Sequence, residues 1–201
     1  MFNLIRRDVI LQKWQLLFFI PFILVFVIMG ASPVLVFLVA SIFIPFNTYA
    51  YDEKAETNIL LNSLPYTRIE IIASRYLGAI FYMLLSIGVT SLALFIFNKP
   101  FTLTDIAIGS GLFLLFAAFT FPLFQIFKPG YITTVILISF ILLSWAAQPI
   151  AQFITEHLTA ITDFIASLSM TALYTGVTLI IMAIYLISWI ITTSIYQRKV
   201  F

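Results

Sequence analysis

Long apolar runs separated by short polar breaks dominate the chain. Six of them, at about residues 15–31, 33–51, 76–97, 106–127, 132–149 and 171–193, approach the ~20 residues that a helix needs to cross the hydrocarbon of a bilayer. Backbone N–H and C=O groups cannot go unpaired in lipid, and runs this long and continuous predict helices rather than barrel strands. Pro33 fits the short link between the first two runs, Asn98-Lys99-Pro100 closes the third, and Lys128-Pro129-Gly130 closes the fourth. The pattern predicts an all-α polytopic membrane protein with six transmembrane helices, forming a single domain over residues 1–201. No internal repeat is visible, because the charged segment at 52–75 has no counterpart in the second half.

Three segments outside these runs have their own periodicity. Residues 1–14 read as an interfacial amphipathic helix, with Phe2, Leu4, Ile5, Leu11 and Trp14 towards lipid and Arg6, Arg7, Asp8 and Lys13 near the headgroups. A plain basic topology anchor explains the same charges. In 151–170, Phe153, Ile154, Leu158, Ile161, Ile165 and Leu168 line one side at helical spacing, opposite Gln152, Thr155, Glu156, Thr159, Thr162, Asp163 and Ala166. That pattern predicts an amphipathic helix on the outer surface, either as a lid or simply resting in the headgroups.

The third segment, 52–75, holds seven of the eighteen charged residues. Asp52 and Glu53 fit the start of a helical turn, where negative charge meets the positive end of the helix dipole. Residues 54–62 then form a short helix with Ile59, Leu60 and Leu61 as its apolar side. Ser63-Leu64-Pro65 breaks it, since proline disfavours helix in the residue before it. Thr67-Arg68-Ile69-Glu70 matches a capping box that starts the next helix. A solvated loop with Arg68 and Arg75 snorkelling accounts for much of this, but the Ile59-Leu60-Leu61 cluster needs a cover. Lipid or a protein cleft would serve.

Composition narrows the class. With 63% hydrophobic and 9% charged residues and a mean hydropathy of +1.14, the chain is unlike soluble domains, which carry roughly 25% charged residues. Without cysteine there is no disulfide, thiol nucleophile or thiolate metal site. A net charge of +2 is too small to imply nucleic acid. With the N-terminus cytoplasmic, Arg6, Arg7, Lys13, Lys54, Arg68, Arg75, Lys128, Arg198 and Lys199 fall inside and only Lys99 outside, the split that the positive-inside rule selects. Both termini are then cytoplasmic, with Asp105, Glu156 and Asp163 outside. The first run resembles a signal peptide up to Gly30-Ala31-Ser32, but its length and the span that follows Pro33 predict that it is retained.

Candidate chemistry is sparse. His157 is the single histidine and reads as a surface residue, since a metal site needs several converging ligands. The spans carry Ser41, Asn47 and Thr48 in the second, and Thr133, Thr134, Ser139, Ser144 and Gln148 in the fifth. Such groups usually bond back to their own helix or join neighbouring helices. No charged residue lies within the spans, which argues against a proton- or ion-driven carrier and favours an amphipathic or lipid-like cargo. Pro45 and Pro122 are positioned to bend their helices. Most of the 22 phenylalanines must face lipid or pack between helices. No G-x-x-x-x-G-K-[ST] loop occurs, so ATP is not bound by that route.

Asp52-Glu53-Lys54, Leu60-Leu61, Ser63-Leu64-Pro65, Arg68, Ile71 and Arg75-Tyr76 resemble the cytoplasmic loop of the type-two ATP-binding cassette exporter permeases. The six-span layout with an N-terminal interfacial helix is similar too. One departure is Asn62, which makes the run less apolar than in many members. The resemblance implies a coupling helix seated in a cleft of a separate ATPase, with Asp52, Glu53, Lys54, Ile59, Leu60, Leu61, Ser63 and Leu64 docking and Arg68 and Arg75 flanking. It implies a translocation pathway along the second and fifth spans at a dimer interface, hence Ser41, Asn47, Thr48, Thr133, Thr134, Ser139 and Ser144, and a lid in the external helix. It further implies ATP and Mg2+ on the partner ATPase, no cofactor or catalytic residue here, and a second permease copy or paralogue. Within the family, the lean loops are similar to permeases exporting amphipathic peptides from Gram-positive bacteria, such as the phenol-soluble modulin exporters. The alternative is a membrane-embedded substrate-capture subunit of a vitamin importer, which needs no docking hairpin. An intramembrane enzyme would need convergent acid/base or metal groups, whereas every carboxylate here sits at a boundary or loop.

Overall fold

In a computed structural model of the chain, residues 13–54, 66–127, 131–157 and 167–198 are described. They form six long helices: α1 (Lys13–Ile28), α2 (Pro33–Lys54), α3 (Arg68–Ile96), α4 (Leu103–Ile126), α5 (Ile132–His157) and α6 (Met170–Arg198). No strand occurs among the described residues. Each helix coincides with one expected apolar run. α3, α4 and α6 are long and apolar enough to cross a membrane, and α1, α2 and α5 contain the shorter apolar stretches Leu17–Ile28, Pro33–Tyr49 and Thr134–Ile150.

Three expected boundaries are corrected. Asp52, Glu53 and Lys54 close α2 instead of opening a new turn. Extending an existing helix adds a hydrogen bond for each residue fixed, whereas a new helix must first nucleate, and this outweighs the weak dipole penalty of acidic residues at a C-terminus. Residues 151–157, expected to begin a separate helix, continue α5 through Pro149. Proline removes one ladder bond there, which a helix held on both sides tolerates. Lys13 and Trp14 open α1, while residues 1–12 of the expected interfacial helix, 55–65 of the charged segment and 158–166 of the external helix lie outside the described residues.

The turns are encoded locally. α1 ends in a Schellman motif: Gly30 takes φ 73°, its N–H reaches Val27 O at 3.2 Å, and Ala31 N–H reaches Phe26 O at 3.1 Å. α3 ends the same way with Asn98 at φ 53°, one of the few side chains that tolerates the left-handed region, and Lys99 N–H bonded to Leu94 O at 2.9 Å. α4 begins with a capping box between Thr102 and Asp105.

α1 to α4 bury apolar side chains such as Phe37, Ile44, Ile72 and Phe113, whereas α6 is inside-out relative to a helix of a soluble bundle. The four buried residues described on α6, Tyr185, Ser188, Thr192 and Tyr196, all carry hydroxyls. The same helix exposes Leu179 (70%), Ile180 (61%) and Ile190 (66%). Lipid is as apolar as leucine, so such a helix gains by burying hydroxyls against partners and leaving its hydrocarbon outside. α2 is central, touching α1, α3, α4 and α5, and α4 packs extensively on α6. Between them lies an aromatic cluster in which the Phe46, Tyr49 and Tyr76 rings meet Phe121 at 5.8, 5.0 and 5.1 Å, at separations where each pair contributes about 0.5–1.5 kcal/mol beyond area burial.

Gly109 sets how closely α2 and α4 approach. A Cβ there would lie 2.8 Å from Phe37 Cβ and 3.1 Å from Val34 O, neither of which can swing aside. Gly88 has nothing within 4 Å. Gly109→Ala is therefore expected to destabilise the bundle by about 1–3 kcal/mol through overpacking. Gly88→Ala is expected to be neutral or stabilising by up to ~1 kcal/mol. Thermal unfolding of the two variants in detergent or lipid discs measures the contrast.

Candidate functional site

The described part of the charged segment is the head of α3. Thr67 caps it from extended backbone: its hydroxyl accepts the Glu70 N–H at 3.2 Å, and the Glu70 carboxylate accepts the Thr67 N–H at 2.9 Å. The capping box expected at these positions is present. It fixes where the helix begins and turns the chain before it away from the α3 axis.

Arg68 reaches across to the end of α6, donating to Gln197 O at 2.7 Å and Tyr196 O at 3.4 Å. These carbonyls belong to the last turn, which has no intrahelical donors left and carries the negative end of the dipole. Arg75 turns inward, its guanidinium 4.4 Å from the centroid of the Tyr49 ring on α2, a geometry worth roughly 0.5–2 kcal/mol. It borders a cavity of about 20 Å3 shared with Thr48, Ser74 and Tyr82, room for about one water. The two arginines expected to flank a partner thus each tie α3 to another helix of their own chain.

Next to Arg75 on α3, Tyr76 anchors a hydroxyl cluster that the sequence alone did not single out. Tyr76 OH lies 2.8 Å from Ser188 Oγ and 2.7 Å from Thr192 Oγ1, and Tyr185 OH donates to Tyr76 O at 3.0 Å. Ser188 donates to Ala118 O on α4, and Thr192 to Ser188 O. With both of those protons on carbonyls, the remaining lone pairs face the Tyr76 proton. Tyr76 also stacks on Trp189, the rings 5.5 Å apart and 9° from parallel. The available signal was the spacing of Tyr185, Ser188, Thr192 and Tyr196 along one face of the last run.

The expected pathway residues are scattered. Ser41 and Ser139 are buried with no hydrogen-bond partner for Oγ. Asn47 and Thr48 bond back to Phe43 O and Ile44 O. Thr134 and Ser144 are exposed, and the Thr133 side chain lies outside the description. α5 packs chiefly on α4 and only slightly on α2, so within one chain the two polar sets share no extensive face. A groove of about 540 Å3 instead runs along the first halves of α4 and α6, lined by Ile108, Gly111, Leu115, Tyr174, Val177 and Ile181. The hydroxyls of Ser110 and Thr178 in its wall donate back to Ile106 O and Tyr174 O, so the groove presents hydrocarbon.

Thr67→Ala is expected to remove the cap and cost the head of α3 about 1 kcal/mol. Amide exchange at Glu70 and Ile71 should then quicken severalfold, with the middle of α3 unchanged.

No curated protein and no solved structure matches the chain. A family model described as "ABC-2 family transporter protein" matches residues 3–197, nearly the whole chain. A bundle of apolar helices, three of them long enough to cross a membrane, with a charged segment between α2 and α3, agrees with that match: the chain belongs to the ABC-2 family of transporter proteins.

Proposed function

We propose that this chain is the permease subunit of an ATP-driven exporter that moves amphipathic peptides or lipid-like hydrophobic compounds out of a bacterial cell. Family membership implies an ATP-binding cassette ATPase as partner and makes this chain the membrane transport component. ATP and Mg2+ are held by that partner. The partner docks on the segment formed by Asp52, Glu53, Lys54, Ile59, Leu60, Leu61, Ser63 and Leu64, flanked by Arg68 and Arg75. Two permeases, identical or paralogous, join two ATPases, and ATP favours one of two conformations of the spans.

The observation that carries this reading is the charged segment itself, in a chain of a family that works with an ATPase. Its position at one end of the bundle supports the docking role. The bonds from Arg68 to the last turn of α6 put the head of α3 and Arg198 at the same end, and Lys99 and Asp105 begin and end a turn at the far end of α3. All six helices cross the membrane in this reading, with both termini in the cytoplasm as the basic residues require. The hydrocarbon walls of the groove between α4 and α6, like the unlined hydroxyls of the spans, suit an apolar or amphipathic cargo better than a charged one.

Replacing Leu60 and Leu61 with aspartate is expected to weaken the ATPase complex by roughly a hundredfold or more, the scale of two leucines withdrawn from a cleft. Co-purification and transport-coupled ATP hydrolysis should be lost while membrane insertion is intact. Undiminished association would overturn the docking role.

A further inference from the structure

We infer that α3 and α6 move as one body, and that Arg68 and Tyr76 are the positioning residues through which displacement of the segment before α3 reaches α6. The inference rests on the docking reading above and adds the route by which force leaves the docking segment.

Two separate grips hold the pair. Arg68 holds the Tyr196 and Gln197 carbonyls, and Tyr76 holds the Ser188 and Thr192 hydroxyls. The second grip falls eight residues on along α3, about 12 Å, and a similar distance back along α6. That is the spacing that two antiparallel helices in register keep. A single contact would act as a hinge. Two contacts separated along both axes remove relative tilt and sliding together.

The inner grip is difficult to exchange within the membrane, whereas the outer one lies at the exposed end of α6, where the carbonyls under Arg68 have no intrahelical donor. Tyr76 is fully buried, and its own carbonyl accepts from Tyr185, so α3 and α6 are bonded in both directions. The flat stack of Tyr76 on Trp189 fixes the ring from the side. Ser188 passes the link to α4 through Ala118 O, and on the other face of α3 Ser86 donates to Ala40 O of α2 at 3.1 Å. The head of α3, next to the docking segment, is thus bonded to α6 before any other helix.

The chain has no cysteine, so spin labels enter at chosen positions without background. Ile69→Cys on α3 and Ser194→Cys on α6 are exposed sites near the first grip. In the permease–ATPase complex in lipid discs, their separation is expected to be the same in the nucleotide-free and ATP-trapped states. In the Tyr76→Phe/Thr192→Val double variant, which leaves every docking residue in place, the two helices should separate on trapping, while the ATPase still co-purifies and hydrolyses ATP. Efflux of a labelled amphipathic helical peptide should fall roughly tenfold, the scale of one or two lost interhelical hydrogen bonds. Tyr76→Phe alone keeps the ring and gives a smaller change of the same kind if the double variant folds poorly.

A label separation that changes on trapping in the unsubstituted complex overturns the inference, as does a double variant with unchanged separation and efflux. Loss of co-purification in the double variant would make the inner grip part of the docking site and overturns the inference. Arg68→Ala, whose residue also flanks the docking segment, is read on the permease alone, where a label separation that stays narrow overturns its part. If no ATPase binds the unsubstituted chain, the docking reading falls. The clamp is then decided on the permease alone: a narrow label separation that broadens in the double variant supports it, and one that stays narrow overturns it.

Discussion

Hydrogen-bonding groups placed in hydrocarbon must find partners within the protein, and the rest of this structure follows from that constraint. Backbone groups meet it by forming helices, and the exposed ends of those helices meet it with caps. On α6 the buried Tyr185, Ser188 and Thr192 meet it by donating their hydroxyl protons to nearby carbonyls. Apolar residues need no partner, and many of them, such as Leu179 and Ile190, face outwards. Helix association depends on the polar contacts, on the buried aromatic and aliphatic side chains of α1 to α4, and on close approach at small residues such as Gly109.

The same constraint explains where the chain is strongly held. At the end bearing the charged segment, the head of α3 is capped by Thr67 and Glu70, joined to α6 through Arg68, and joined to α2 through Arg75 and Tyr49. Along the first halves of α4 and α6 the Ser110 and Thr178 hydroxyls bond to their own helices and line an apolar groove, while Thr104 and Tyr174 meet across the two helices at 3.5 Å.

Local chemistry was the legible part. Thr67 and Glu70 could be read as a capping box because its two hydrogen bonds involve residues only three apart. The matching pair at Thr102 and Asp105 follows the same logic with a shorter acid. Asp52, Glu53 and Lys54 were misplaced at a helix start because dipole preference is a weak term, and the cooperative continuation of α2 outweighs it. Residues 151–157 read as the start of a separate outer helix because their apolar and polar positions separate at helical spacing, whereas they continue α5 through Pro149.

The sequence by itself determined that this is an all-helical membrane protein of six apolar runs, with its charge gathered between the second and third. Run length and the ban on unpaired backbone in lipid leave no other arrangement. Tertiary structure decided which hydroxyls meet. Tyr76 lies more than a hundred residues from Ser188 and Thr192, and Arg68 a comparable distance from the carbonyls it holds. Hydropathy treats a serine on any face of a helix alike. Only the packing of α3 against α6 and α4 distinguishes the hydroxyls that join helices from those that bond back to their own turn.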